Sequence, residues 1–72
     1  MSGPPVKRSV TLKGHRTSVS LEDPFWQQFR RIAHEEGRGI NDLAAEIDAM
    51  REQGTGLASA IRVFVLERAL SR

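Results

Sequence analysis

The chain has 72 residues, contains no cysteine and carries a formal net charge of +2. A core of this size is marginal for one chain, and the lack of cysteine excludes disulfide bonds and thiolate metal sites. Because its two histidines, His15 and His34, lie far apart in sequence, neither a metal-stapled fold nor a cofactor is expected, and association of two copies is the natural way to complete the core.

Positive charge is concentrated near the amino terminus. Residues 1–20 contain four basic residues and no acid, whereas residues 21–72 contain seven Arg and nine acidic residues. A basic segment on a near-neutral body indicates a polyanion as partner, although a solvated tail would have the same composition. Because no stretch reaches the ~18 apolar residues of a membrane span and no signal-peptide core follows Met1, we expect a cytoplasmic protein, associated with the nucleoid if the polyanion is DNA.

After a flexible arm predicted for residues 1–7, the hydrophobic pattern takes a period of two. Two sets of alternating residues change parity across Gly14: Val10 and Leu12 before it, and Thr17, Val19 and Leu21 after it. The second set predicts a strand over 16–21, and Gly14 indicates a turn or bulge. Residues 8–13 are either a second short strand or an ordered arm.

Two helices are predicted next. Asp23 is the expected N-cap and Pro24 the first helical residue of a helix over about 24–36, and Gly37 follows it as a left-handed C-terminal residue. Asn41 is the expected N-cap of a second helix, which carries an apolar stripe and ends near Gln53 and Gly54.

A third helix, over about 57–70, carries apolar side chains around most of its circumference. Such a helix should be buried, and a single chain of this length can hardly cover it on all sides. We therefore expect a homodimer, with a monomer that exposes an apolar patch as the alternative. The residues assigned to the dimer core are Thr17, Val19, Leu21, Trp26, Phe29, Ile47, Ile61 and Phe64.

A single strand before a set of helices would leave both of its edges unpaired. We therefore predict that the strand pairs with its copy in a second chain, which makes an antiparallel two-stranded ribbon. Arg16, Ser18 and Ser20 then alternate onto the solvent face. A two-stranded ribbon fits the DNA major groove, where Arg can bind guanine O6 and N7 and Ser can donate or accept. An ordinary hydrated sheet face is the other interpretation of these residues.

The order of strand, Asp-Pro helix start, glycine-containing turn and second helix, in His15–Leu21 and from Phe25 to Ile47, resembles the ribbon-helix-helix family of transcriptional repressors and antitoxins. More narrowly, KRSVTLKGHRTSVSLEDPFW (7–26) and SAIRVFVLE (59–67) are similar to a compact bacterial subgroup with an additional helix. The resemblance implies a mainly α fold that works as a homodimer, or as a tetramer on DNA, and represses transcription. It also implies that Arg16, Ser18 and Ser20 contact bases in the major groove.

The resemblance further implies a phosphate contact at the amino terminus of the family's second helix. Here that end is Asn41, followed by Asp42, whose charge disfavours phosphate. Alternatively, residues 40–53 are an inserted helix and 57–70 is the family's second helix, which moves the contact to residues 56–59. The residues expected to contact phosphates are Lys7, Arg8, Lys13, His15 and Asn41.

No pattern in the sequence predicts an enzyme. There is no cysteine nucleophile and no phosphate-binding glycine loop, and a chain this short rarely encloses a catalytic cleft. The alternative function is a protein–protein interaction module, or an antitoxin-like partner, that uses the apolar third helix. Salt-sensitive DNA binding would separate the two functions.

Overall fold

The computed structural model describes residues 3–71. Two strands precede three helices: β1 (Val6–Leu12), β2 (His15–Leu21), α1 (Asp23–Glu35), α2 (Ile40–Met50) and α3 (Leu57–Leu70). The three predicted helices are confirmed, and a two-stranded antiparallel sheet precedes them, but both of its strands belong to one chain and the predicted pairing with a second copy is not shown. In the part of the chain that the structure describes, no helix is long and apolar enough to cross a membrane.

The ribbon is a hairpin within one chain. Leu12 lies opposite His15 and Val6 lies opposite Leu21. The connection is Lys13 at φ 51° and Gly14 at φ 84°. Positive φ at both positions of a two-residue loop is the type I′ turn, whose twist matches that of the flanking strands. This turn explains the change of parity across Gly14 in the sequence.

The expectation of a single strand is wrong, because β1 supplies a partner for β2 inside the chain. Residues 8–13, for which two interpretations were open, lie mostly in this strand. Val6 and Lys7, which we assigned to the flexible arm, belong to it as well, whereas Met1 and Ser2 lie outside the described residues. A second copy is therefore not needed to give β2 a neighbouring strand.

The helices pack on one face of the hairpin, with α2 against β1, α3 against β2 and α1 against these two helices. Phe29, Leu43 and Ile61, one from each helix, are fully buried. Burial of a large apolar side chain contributes roughly 1.5–3 kcal/mol relative to exposure. Val19 and Leu21 close the core from the hairpin side, so the helices hold the hairpin in a fixed position.

The carboxyl end of α1 has the predicted structure, whereas its amino end does not. Gly37 has φ 66°, and its N–H donates to the carbonyl of His34 while the N–H of Arg38 donates to that of Ala33. This pair of bonds is the Schellman motif that the glycine predicted. At the amino end the N-cap is Glu22 and not Asp23, which is the first helical residue.

The predicted N-cap of α2 is also wrong. Gly39 occupies the N-cap position, and Asn41 lies inside the first turn of the helix. The asparagine side chain is used elsewhere, because its oxygen accepts a hydrogen bond from β1. α2 ends at Met50, short of the expected end near Gln53 and Gly54.

α3 has the predicted bounds but is only partly buried. Ile61 and Val65 are buried, whereas Val63, Leu66 and Leu70 are 53%, 54% and 75% exposed. Most residues assigned to a dimer core already belong to the core of one chain: Val19, Leu21, Trp26, Phe29, Ile47 and Ile61. Phe64 is half-buried and Thr17 is exposed. The apolar surface that α3 leaves exposed is thus a different set of residues.

Candidate nucleic-acid interface

Alternate residues of the hairpin point away from the helices. Cross-strand partners share a face of the sheet, and the register pairs Lys7 with Ser20, Ser9 with Ser18 and Thr11 with Arg16. These six residues, here called the outward face, carry two cations, four hydroxyl groups and no carboxylate. Thr11 is half-buried and the other five are exposed.

The three residues predicted to contact bases lie together on the outward face. Arg16, Ser18 and Ser20 are successive outward positions of β2, as their alternation predicted. Lys7, predicted as a phosphate contact, lies on the same face opposite Ser20. The structure therefore brings one positive charge to each end of the face, with hydroxyl groups between them.

Sequence reasoning missed two members of the outward face, Ser9 and Thr11. The signal was present in the alternation of polar Ser9 and Thr11 with apolar Val10 and Leu12. It was not used because residues 8–13 were not assigned to a strand. Once β1 is a strand, these two residues lie beside the predicted base contacts.

Lys13 and His15 flank the glycine of the turn and are both exposed. Lys13 is at the tip of the hairpin, in a left-handed conformation that non-glycine residues seldom adopt. His15 begins β2 on the side that faces the helices. Both lie next to the outward face without belonging to it.

Arg8 lies on the opposite side of the hairpin from the outward face. Its Nη2 is 3.2 Å from Oδ1 of Asp23, and its guanidinium carbon is 5.5 Å from the centroid of the Trp26 ring. The side chain is 20% exposed. These contacts tie β1 to the start of α1, so we assign Arg8 to the positioning of the hairpin and leave it out of the interface.

Asn41 joins α2 to the outer edge of β1. Its Oδ1 accepts a hydrogen bond of 2.9 Å from the backbone N–H of Thr11. This N–H therefore points toward α2 and away from β2, which makes Thr11 and Arg16 a non-hydrogen-bonded cross-strand pair. In such pairs the side chains are closest, with Cβ atoms about 4.5–5.5 Å apart. Hydrogen-bonded and non-hydrogen-bonded pairs alternate along an antiparallel ladder, so Ser9–Ser18 and Lys7–Ser20 are non-hydrogen-bonded pairs as well.

A family model for the ribbon-helix-helix domain matches residues 5–69. The chain belongs to the ribbon-helix-helix family. Domains of this family are generally DNA-binding transcription regulators, typically dimerise, and have a non-enzymatic fold. Searches of curated proteins and of solved structures found no match.

In this ribbon-helix-helix chain the end of β2 is held by α3. Nε of Arg62 donates to Oε1 of Glu22 at 2.9 Å, and Nη2 donates to the backbone carbonyl of Ser20 at 3.1 Å. The guanidinium carbon also lies 5.8 Å from the centroid of the Phe25 ring. The hydrogen bond from Arg62 lowers the pKa of Glu22. No sequence pattern assigned a role to Arg62, because its partners are 40 and 42 residues away.

A further charged network begins just after the end of α1. Arg68 and Arg38 both pair with Glu36, and Arg38 also pairs with Glu46. The hydrogen bond from Arg68 is the main cause that lowers the pKa of Glu36. Among residues 3–71, no group of three or more potential ligands is arranged to hold a metal ion. The ion pairs of Glu36 and Arg38 link the connection after α1 to α2 and α3.

Proposed function

We propose that this chain is a sequence-specific DNA-binding transcription regulator, acting as a repressor, whose hairpin enters the major groove by its outward face. One observation supports this above all: Arg16, Ser18 and Ser20 lie side by side on an exposed two-stranded surface, with Lys7 at its end and no carboxylate among its residues. The family's general role in DNA binding agrees with it.

The chemistry of the face suits base recognition. Arg16 can donate two hydrogen bonds to O6 and N7 of one guanine, which is the most common specific contact in the major groove. Ser18 and Ser20 can donate or accept and so tolerate several bases. Lys7 and Lys13, at opposite ends of the hairpin, would bind phosphates and supply most of the affinity and its salt dependence.

A recognition surface must be rigid to discriminate between sequences. Three contacts fix the hairpin on the helices: Arg8 with Asp23, the N–H of Thr11 with Asn41, and the carbonyl of Ser20 with Arg62. Repression follows from occupancy, because a protein in the major groove of a promoter excludes other proteins from the same DNA. Such a role would place the protein on the nucleoid, in the cytoplasm.

We also propose that two copies form the working regulator, through the exposed apolar side chains of α3. Val63, Leu66 and Leu70 recur at helical spacing on one side of α3 and are more than half exposed. A two-fold dimer places the same stripe on both copies, so that each covers the other. The family typically dimerises, and two hairpins related by two-fold symmetry would bind two copies of a half-site.

The decisive experiment is a DNA-binding titration at two salt concentrations with a random-sequence library. The variants are Arg16→Ala, Lys7→Ala and, as a matched control, Arg30→Ala, which removes an exposed charge from α1. We expect Arg16→Ala to weaken binding to the preferred sequence by about 1–3 kcal/mol and to relax the preference. Lys7→Ala should weaken all sequences alike and reduce the salt slope by about 1.

Two results would contradict the proposal. If the wild-type protein does not bind DNA at low salt, the exposed stripe on α3 makes a protein–protein interaction module the better function. If Arg16→Ala weakens every sequence by the same factor as Arg30→Ala, the outward face does not read bases.

A further inference from the structure

We propose that the cleft between α2 and α3 binds a small organic cation, a molecule in which an amine or another positively charged nitrogen is joined to an apolar body. The cleft is lined by residues of α2, of α3 and of the loop between them, and its volume is about 410 Å³. Small-molecule pockets are about 300–1,000 Å³ in volume and mostly apolar, with a few polar groups that orient the ligand. The inference does not depend on the proposed DNA binding, which uses the hairpin.

The apolar part of the cleft comes from both helices. Its apolar lining residues are Ile47, Met50, Ala60, Val63 and Phe64. Met50 is 64% exposed and Val63 is 53% exposed, so the cleft presents apolar surface to water. An apolar ligand body would cover this surface, and its removal from water is favourable. Met50 can follow the shape of a ligand because methionine is unbranched and flexible.

Two carboxylates give the cleft its charge. Glu52 and Glu67 line it, and within residues 3–71 neither side chain makes a hydrogen bond or an ion pair. Arg51 also lines the cleft, but its own chain engages it: Nε is 2.7 Å from Oδ1 of Asp48, and Nη1 donates to the carbonyl of Thr55 at 2.6 Å. A cationic ligand would therefore meet two carboxylates that have no other partner, whereas an anion would be repelled.

Phe64 adds an aromatic ring to the cleft. Aromatic rings attract cations to their faces, and the guanidinium carbon of Arg68 already lies 5.1 Å from the centroid of this ring. Arg68 does not line the cleft, and its charge is balanced by an ion pair with Glu36. The ring can therefore pack against the apolar body of a ligand while Glu52 and Glu67 bind its charge.

A second copy of the chain is the other occupant to consider. α3 contributes residues at spacings of three and four, which therefore share one face of the helix: Ala60, Val63, Phe64 and Glu67. Of these, only Val63 also belongs to the exposed stripe through which we propose that two copies associate. Contact between two stripes therefore does not require the cleft. Coverage of the cleft by a second copy would also bury two carboxylates, which is costly unless opposite charges meet them.

The test titrates the full chain with three molecules that share an apolar body and differ in charge: phenethylamine, phenethyl alcohol and phenylpropionate. Two-dimensional NMR of the isotope-labelled protein follows the backbone amides and gives both the affinity and the location of binding. The variants are Glu52→Gln, Glu67→Gln and the double variant, which remove charge from exposed positions. Asp42→Asn is the matched control, because it removes an exposed carboxylate from the first turn of α2, outside the cleft.

We expect phenethylamine to shift the amide signals of Met50, Thr55 and Val63 saturably. It should bind at least about tenfold more tightly than phenethyl alcohol, and phenylpropionate should bind more weakly than either. Each single glutamine variant should weaken the binding of phenethylamine about two- to fivefold, and the double variant about tenfold. Asp42→Asn should leave the affinity unchanged, and added salt should reduce the difference between phenethylamine and phenethyl alcohol.

Three results would overturn the proposal. The first is the absence of saturable shifts with phenethylamine, or shifts confined to residues outside the cleft. The second is equal affinity for the three molecules, or an unchanged affinity in the double variant, because the carboxylates would then not select the ligand. The third is a double variant that changes the sedimentation of the protein, which would assign the cleft to the interface between copies. None of these results alters the DNA titration, so the two proposals fail separately.

Discussion

Arg62 of α3 and Glu22, the residue before α1, form an ion pair in which Nε and Nη2 of the arginine both lie 2.9 Å from Oε1 of the glutamate. Nη2 also binds the carbonyl of Ser20. One side chain thus joins the last helix to the start of the first and to the end of the hairpin. The contact lowers the pKa of Glu22 from its ordinary value of 4.5, mainly through the hydrogen bond from Arg62.

Acid should therefore weaken the fold through Glu22. Because its pKa is lower in the folded chain than in the unfolded chain, the pair stabilises the fold fully above the unfolded pKa, and this contribution is lost as the pH falls through the folded pKa. Glu22→Gln should lower the melting temperature at pH 7 and reduce its dependence on pH below about 5. Thermal unfolding followed by circular dichroism at several pH values measures both effects.

The matched control for this prediction is Glu52→Gln, which removes an exposed carboxylate after α2. Glu52→Gln should have little effect on the melting temperature at pH 7 or on its dependence on pH. Equal pH profiles for the two variants would show that the Glu22 pair does not contribute to the acid sensitivity.

Replacement of Lys13 by asparagine should stabilise the hairpin turn and weaken the binding of DNA. Lys13 holds a left-handed conformation at φ 51°, and Asn-Gly is strongly preferred in type I′ turns. Lys13→Asn should raise the free energy of unfolding by up to about 1 kcal/mol and weaken DNA binding to all sequences. Urea denaturation and the DNA titration measure the two effects. Lys13→Arg keeps the charge and leaves a residue that is equally strained in the left-handed conformation, so it should change neither the free energy of unfolding nor the DNA affinity. A Lys13→Asn protein that is no more stable than the wild type would contradict the prediction.

Removal of the Asn41 side chain should loosen the contact between α2 and β1. Its oxygen accepts the backbone N–H of Thr11, and a hydrogen bond of this kind contributes about 0.5–1.5 kcal/mol. Asn41→Ala should lose that amount in urea denaturation, whereas Asn41→Asp keeps an acceptor oxygen and should retain most of it. Equal losses in the two variants would mean that the hydrogen bond is not what Asn41 contributes.

A disulfide bond between positions 9 and 18 should form inside one chain. Ser9 and Ser18 are opposite each other in a non-hydrogen-bonded pair, where Cα atoms lie about 4.5 Å apart, within the range of disulfides. The natural sequence has no cysteine, so only one bond can form in Ser9→Cys/Ser18→Cys. We expect a monomer on a non-reducing denaturing gel and a stability gain of about 2 kcal/mol. Predominantly cross-linked dimers would show that the strands pair between chains.

A charge in the exposed stripe of α3 should separate the two copies of the proposed dimer. Leu66 is 54% exposed in a single chain, so Leu66→Glu should leave the fold of the monomer intact while it places two carboxylates in the interface. Analytical ultracentrifugation should show a monomer for this variant and a dimer for Gln28→Glu, which adds the same charge to an exposed position of α1. A Leu66→Glu protein that remains dimeric would move the interface away from α3.

Periodicity predicted the parts of this fold that depend on local sequence. The alternation around Val19 predicted β2, the parity change located the turn at Gly14, and Gly37 predicted the end of α1. Each of these features depends on neighbouring residues only: alternate side chains share a face of a strand, and a glycine adopts the left-handed conformation at least cost.

The features that the sequence did not predict depend on contacts between distant residues. Asparagine is a common N-cap residue, but the side-chain oxygen of Asn41 instead accepts a hydrogen bond from the backbone N–H of Thr11, which is 30 residues away in sequence. Arg8 has the charge of a phosphate ligand, but Asp23 and Trp26 hold it on the other side of the hairpin. In both cases the residue type suits the predicted role, but a contact with a residue distant in sequence gives the side chain a different role. The outward face was half predicted, because β2 was assigned as a strand and β1 was not.

The two-residue turn between β1 and β2 also bears on the order in which the molecule forms. Every pair in the hairpin joins residues at most 15 positions apart, and hairpins of this kind close in about 1–10 μs. During synthesis the whole outward face leaves the ribosome before α1, α2 and α3 do. An isolated hairpin has only marginal stability in water. The hairpin of the growing chain therefore forms only transiently until the helices are synthesised and cover its apolar side. α3, which is synthesised after the hairpin, thus holds through Arg62 the end of a surface that emerges before it.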